Sequence, residues 1–444
     1  MQSRPLTQLG LQSLKSVCLH HCRPGLSIAL AALLIGATVG ILPVTAAENR
    51  LPQAEPSCLD APVVPLEDPD FVVSTESQLR KALSAAKDGD SVLLQPGVYR
   101  LSRTLSITTP NLTIQGDSSR CDDIELIGAG MENRDYGGAP HGFWVNAPGV
   151  SIRNLAISDF YHHAITFGPK ATAPALYNLR LRDAGEQFVK ASDFADLGAG
   201  VDDGLVEYSV IHYSVAPPTT DHGGGGSGYT NGIDVHGGKR WIIRNNYFGN
   251  FHTPDSARHL WNPAILMWNG AADTLVENNR FVDVDRAVAF GLSDRDADHS
   301  GGLIRNNMIY YRPDLMNWRR SLGSDAAIVV WNSPGTRVLH NTIVTNDNVR
   351  YAIEFRFHTD GGVAANNLSD TSVRRRQGGR HVAQSNAKIS GSMQFVQAPI
   401  GDLHLRESFR PRYKLELHTE ALLDVDGESR ENVANLLPGA DQIN

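Results

Sequence analysis

The segment Trp241-Ile-Ile-Arg-Asn-Asn-Tyr-Phe248 returns as Thr274-Leu-Val-Glu-Asn-Asn-Arg-Phe281 and again as Gly302-Leu-Ile-Arg-Asn-Asn-Met-Ile309. Further copies are Arg337-Val-Leu-His-Asn-Thr-Ile-Val344 and Gly362-Val-Ala-Ala-Asn-Asn-Leu368, and weaker ones begin at Val150 and Gly204. The asparagines at 245, 278, 306, 341 and 366 stand 33, 28, 35 and 25 residues apart. A period of that length marks a solenoid, a propeller or an array. The runs are short, rich in β-formers and bounded by Gly and Asn, with no helical periodicity. No Trp-Asp blade signature accompanies them, which disfavours a propeller. The recurring Asn predicts an internal ladder, each side chain bonding a neighbouring coil at a buried bend.

A second segment precedes each copy. It reads Ala164-Ile-Thr-Phe167, Gly232-Ile-Asp-Val-His236 and Ala264-Ile-Leu-Met-Trp268, then Ala287-Val-Ala-Phe-Gly291, Ala327-Ile-Val-Val-Trp331 and Ala352-Ile-Glu-Phe-Arg356. Ile233, Ile265, Val288, Ile328 and Ile353 share one face with Val235, Met267, Phe290, Val330 and Phe355; the residues between them point the other way. Each unit is therefore a strand, a turn, a strand, an Asn bend, a strand and a loop. Stacked units give parallel strands about 4.8 Å apart. Upstream, 75–86 reads as one helix. Thr75 and Gln78 form a capping-box pattern, and Leu79, Ala82, Leu83 and Ala86 make its apolar stripe. A solenoid must cover its first coil, and this helix is the natural cap.

Lys87-Asp-Gly-Asp-Ser-Val-Leu-Leu-Gln-Pro-Gly-Val-Tyr99 resembles the opening motif of right-handed parallel β-helix proteins, the pectin-lyase-like superfamily. Asp402-Leu-His-Leu405, Asp424-Val-Asp-Gly-Glu-Ser-Arg430 and Pro438-Gly-Ala-Asp-Gln442 resemble its closing segments. The expected fold is all-β: a single-stranded, right-handed parallel β-helix of eight to ten coils over residues 71–442, with an N-terminal capping helix. The superfamily holds polysaccharide lyases, uronan epimerases, glycoside hydrolases, esterases and phage adhesins, and fold does not choose among them. The resemblance implies a site on the outer face of the first sheet, walled by the loops that lead into it. Those loops are long here, at 214–230, 252–262 and 311–325.

Two outward columns follow from the alternation. One reads Asp234, Leu266, Ala289, Val329, Glu354; the other reads His236, Trp268, Gly291, Trp331, Arg356. Trp268 and Trp331 fall two coils apart, roughly 10 Å. They are candidate stacking platforms for sugar rings, with Gly291 leaving room between; the competing reading makes them outer core under the loops. Arg356 joins them as a substrate-binding candidate. Lys190 belongs to the coil before Asp234, but an irregular strand is needed to fit Phe188, Val189 and Lys190 to the alternation.

Uronan lyases and epimerases must neutralise a sugar carboxylate before the adjacent proton can leave. A base then removes that proton. Lys190 or His236 is the candidate base, Lys239 or Arg244 the neutraliser, and Asp234 orients His236 or holds a metal. A hydrolase needs two carboxylates roughly 5–9.5 Å apart. Asp234 and Glu354 fall four coils apart, roughly 19 Å, which places hydrolysis lower. Asp294, Asp296 and Asp298 alternate in a turn and form a weak candidate Ca²⁺ site, without the Gly and distal Glu of an EF-hand. No other cofactor is expected. The rival from another class is a non-catalytic glycan-binding or surface-structural protein.

The chain has 444 residues, 40 of them Lys or Arg and 48 Asp or Glu, for a net charge of −8. That leaves no strong basic field for nucleic acid. Residues 1–46 read as a cleaved signal peptide: Arg4, Lys15 and Arg23, an apolar run over 26–44, then Val44-Thr45-Ala46 as a small-residue cleavage site. The apolar run could just span a bilayer as an uncleaved anchor. Cleavage implies a secreted protein with no stable membrane span, a polysaccharide partner and an undetermined oligomeric state. Residues 47–70 form an arm. Cys58 and Cys121 make a plausible disulfide tying that arm down.

Overall fold

The computed structural model describes residues 55–443 apart from 193–199, 215–227, 258–259, 410–412 and 432. The leader therefore lies outside the described residues, as does most of the expected wall loop at 214–230. Among the described residues no helix is long and apolar enough to cross a membrane.

The repeat becomes a right-handed parallel β-helix. One wall is a ten-stranded parallel sheet whose strands run, coil by coil, from Leu105–Ile107 to Val373–Arg376. The other walls form one continuous set of twenty-one strands. In it, ladders such as Ile242–Arg244 on Leu275–Glu277 alternate with Tyr247–Gly249 on Arg280–Val282. The inward positions fill the core: Ile233, Val235, Ile265, Met267, Val288, Phe290, Ile328, Val330, Ile353 and Phe355 are all fully buried. Phe248 stacks on Phe281 one coil on, at 4.9 Å between centroids.

The helix forms over Glu76–Ala85. Thr75 caps it by accepting the Gln78 N–H, and the Gln78 side chain returns the favour to the Ser74 N–H at 2.8 Å. Leu79 and Ala82 are buried on the first coil. A disulfide joins Cys58 of the arm to Cys121.

The asparagine ladder exists, with a shift of register. At the bends the first residue of each pair, Asn245, Asn278, Asn306 and Asn366, has φ between 54° and 57°. That left-handed backbone turns the corner, a conformation Asn tolerates. The second residue builds the ladder. Asn246 Nδ2 donates to Asn279 Oδ1 at 3.0 Å, Asn279 to Asn307 at 3.0 Å, Asn307 to Asn341 at 2.9 Å, Asn341 to Asn367 at 2.9 Å and Asn367 to Asn386 at 2.8 Å. Each Oδ1 also accepts the backbone N–H of the preceding rung. Of the asparagines singled out from sequence, only Asn341 is a rung.

Candidate active site

The register of the ten-stranded sheet places Lys190 beside Asp234, and Asp234 beside Leu266. Phe188 does not belong to the strand, which is Val189–Ala191. It turns into the core against Tyr213 and Phe251, at centroid distances of 5.0 and 5.3 Å. That removes the conflict of phase and leaves Lys190 pointing outward in the same column as Asp234.

Lys190 Nζ lies 2.5 Å from Asp234 Oδ2 and 2.8 Å from His236 Nε2. The Trp268 indole N–H donates to Asp234 Oδ1 at 2.9 Å, and the His236 and Trp268 rings meet edge to face at 4.8 Å. The Asn269 amide closes the cluster on His236 Nδ1 at 2.6 Å. Asp234 is buried, while the Lys190 and His236 side chains keep 14% and 17% of their surface open to solvent. Burial alone would raise the Asp234 pKa. The Lys190 charge, with His236 beside it at 3.4 Å, outweighs it and holds the carboxyl down at about 2. Asp234 is thus an ionised, fully engaged anchor that orients both Lys190 and His236.

Arg295 supplies an exposed cation beside Trp268. Its guanidinium sits 5.2 Å above the Trp268 ring, bonded to Ser293 Oγ at 3.0 Å and to Asp298 Oδ1 at 3.2 Å. It lies inside the acidic turn read for metal binding, and that reading hid it. The three acids of the turn do not converge. Asp294 and Asp296 are exposed, whereas Asp298 is fully buried. Asp298 accepts the Leu292 and Ser293 N–H groups at 2.7 and 2.8 Å and the Asn269 N–H at 2.9 Å. Its lone pairs are spent on holding the turn, so the residues do not fit a Ca²⁺ site.

Among the described residues one other group has metal-like convergence: His404, Asp426 and Asp441, in the closing segment. There Asp402 takes one His404 nitrogen at 2.5 Å and Asp426 the other at 3.0 Å. Hydrogen bonds to those two carboxylates push the His404 pKa up to about 10. The ring is an imidazolium clamped between acids, with no lone pair for a metal.

The remaining expected residues divide clearly. Lys239 is exposed beyond the Gly237–Gly238 turn, where its backbone bridges Ala272. Arg244 is on the other wall, paired in its ladder with Glu207, and with Glu277 at 3.7 Å. Neither joins the cluster, because one turn of a β-helix carries the chain onto a different sheet. Trp331 stays in its column but is buried. Arg356 covers it at 4.4 Å and Arg286 at 5.3 Å, and its N–H donates to Glu354 at 3.0 Å. It is outer core, and Arg356 is its cover, also bonded to Gln377. Gly291 serves the backbone: at φ 75° it packs so close that a Cβ would stand 1.9 Å from the Trp331 carbonyl oxygen.

Sequence reasoning placed His162 and His163 on the coil before Lys190 but missed Trp144. Trp144 pairs with Thr166, and Thr166 with Lys190, so Trp144 lies in the same outward column about 10 Å from Lys190 and is half-buried. On the same flank Tyr136, His141, Tyr161, His162 and His163 gather on one another, with ring contacts of 4.9 to 6.1 Å. Glu186 holds His162 at 2.8 Å. Burial, then a histidine neighbour, lowers His141 to about 4 and His163 to about 3, so those two rings are neutral at neutral pH. The alternation of 143–145 was the available signal for Trp144.

No protein-family model matches the sequence, and no curated protein matches it. Solved structures do. An alginate lyase from Paenibacillus sp. is 17% identical at a TM-score of 0.44, covering 72% of this chain and 98% of its own. A PL6 family polysaccharide lyase from Pseudopedobacter saltans is 14% identical at 0.43, covering 84% and 96%. The A-module of a mannuronan C-5 epimerase from Azotobacter vinelandii is 13% identical at 0.37, covering 71% and 93%.

Proposed function

We propose that this protein is an exported polysaccharide lyase or C5-epimerase acting on a uronic-acid glycan. The observation that carries the reading is the outward Lys190 amine held by Asp234 and His236 on the outer face of the sheet. In the reaction, Lys190 as the free amine removes the proton on the carbon beside the sugar carboxylate. The electron pair of that C–H bond moves onto the carboxylate, whose developing charge Arg295 is placed to balance. In elimination the pair returns to form a C=C bond, and the glycosidic oxygen leaves with its bonding electrons and takes up a proton. In epimerisation a proton is instead returned to the same carbon from the opposite face. Trp144 offers the sugar platform at the N-terminal side of the base.

Two features support this over hydrolysis. Asp234 is engaged by Lys190, His236 and Trp268, and Glu354 is fully buried with its Oε1 taken by Trp331 and Arg376. Neither can serve as a free acid or nucleophile across a bond. The test is incubation with alginate, pectate and glycosaminoglycans, following the ultraviolet absorbance of unsaturated uronate and, by NMR, inversion at C5. No unsaturated product and no inverted residue with any polyuronan sinks the reading. Binding without turnover would favour a glycan-binding protein.

A further inference from the structure

Asn269 follows the site strand Pro263–Trp268, half-buried, with its amide on the His236 nitrogen that faces away from Lys190. Its backbone has φ 55° and its N–H is fixed on Asp298. The side chain lies on His236 Nδ1 at 2.6 Å. With Nδ2 turned to that nitrogen, the Asn269 Oδ1 atom is buried and without a hydrogen-bond partner among the described residues. A buried carbonyl in that state is costly. The two ends of an amide have nearly the same shape, so a half-turn about the Cβ–Cγ axis exchanges acceptor for donor without moving another atom.

The ring proton decides the rest. A neutral lysine has two N–H bonds and one lone pair. If His236 carries its proton on Nδ1, then Nε2 is an acceptor. The two Lys190 N–H bonds then go to Asp234 Oδ2 and His236 Nε2, the two contacts the geometry provides. The lone pair is left facing the open side. If the proton sits on Nε2 instead, that N–H faces Lys190 Nζ at 2.8 Å and Asp234 Oδ1 at 3.4 Å, and the nearer contact consumes the lone pair. Only the first arrangement leaves a base.

We infer that Asn269 is a positioning residue whose side-chain carbonyl accepts the His236 Nδ1–H bond, fixing the ring tautomer that aims the Lys190 lone pair outward. The catalytic consequence rests on the reading of Lys190 as a base; the tautomer itself does not. Asn269→Gly removes the amide and suits the left-handed backbone. Asn269→Asp keeps the acceptor and tolerates the same backbone.

The experiment is a long-range ¹H–¹⁵N correlation spectrum of ¹⁵N-histidine-labelled full-length protein above the imidazole titration, with His236 assigned by its loss in His236→Gln. Wild type and Asn269→Asp should show Nδ1 protonated and Nε2 bare. Asn269→Gly should populate Nε2–H, with kcat falling about 10²-fold and KM nearly unchanged. Asn269→Asp should recover most of that rate. An Nε2–H ring in the wild type, or an unchanged tautomer in Asn269→Gly, overturns the inference. The expected tautomers in a protein without activity on any polyuronan would overturn the proposed function and leave the role of Asn269 standing.

Discussion

The ten-stranded sheet carries two clusters built on one plan. Near its N-terminal half, Trp268 donates to Asp234, Lys190 neutralises the carboxylate and Arg295 lies over the indole. Near its C-terminal end, Trp331 donates to Glu354, Arg376 neutralises that carboxylate at 2.9 Å and Arg356 lies over the indole. The difference is in the cations and the cover. The first cluster holds Lys190 and His236, groups that gain and lose protons. The second holds only arginines, which stay charged. Arg286 seals it further through two bonds to Asp325, at 2.9 and 3.0 Å. One arrangement of indole and carboxylate thus serves as scaffolding at one site and as the mount for a proton-transfer group at the other.

Lys190→Arg should break the likeness most sharply. It keeps the charge on Asp234 and removes the base, so kcat should fall about 10³-fold. The thermal midpoint should hardly move, and calorimetry beside a lyase assay separates the two. Glu354→Gln should do the reverse. It takes a carboxylate charge from Arg376, which keeps Asp325 at 3.6 Å, and from Arg374 at 3.8 Å. Losing a charged hydrogen bond to partly exposed arginines costs about 2 kcal/mol, read in urea unfolding, while activity per folded molecule is kept.

Asp234 adds a pH signature. Its folded pKa of about 2 lies below the usual carboxylate value, so folding favours its ionised form. The resulting stability, about 2 kcal/mol, is complete above about pH 4 and is lost as pH falls through about 2. Acid titration of unfolding should lose that component in Asp234→Asn. The smallest effect is expected from the paired changes Trp268→Phe and Trp331→Phe. Each deletes one N–H to a carboxylate, worth about 1.5 kcal/mol. The first should appear in KM, the second in the urea midpoint alone.

Much of this was legible in the sequence, because alternation has a period of two and tolerates no slip. The columns Asp234, Leu266, Ala289, Val329, Glu354 and His236, Trp268 were read in the register the strands adopt. The ladder was read one residue early, since both members of an Asn-Asn pair are polar and only the backbone tells the corner from the rung. Arg244 looked close to His236 because chain distance hides a change of sheet. The sealing of Trp331 was not legible. Its covers, Arg286 and Arg356, come from different coils, and Arg286 is itself fixed by the Trp261 carbonyl in a loop. Such contacts are made in space and leave no pattern along the chain.

The rungs from Asn246 to Asn386 are separated by 33, 28, 34, 26 and 19 residues, yet they meet at nearly constant hydrogen-bond length. The seam absorbs none of that variation. All of it is expelled to the far edge, into the loops that border the ten-stranded sheet. Loops there can be lengthened, shortened or exchanged while the pitch between neighbouring site strands is held by a row of side chains on the opposite side of the molecule. The seam makes the working face a set of interchangeable parts on a fixed spindle, and a substrate preference can be rewritten without refitting the frame.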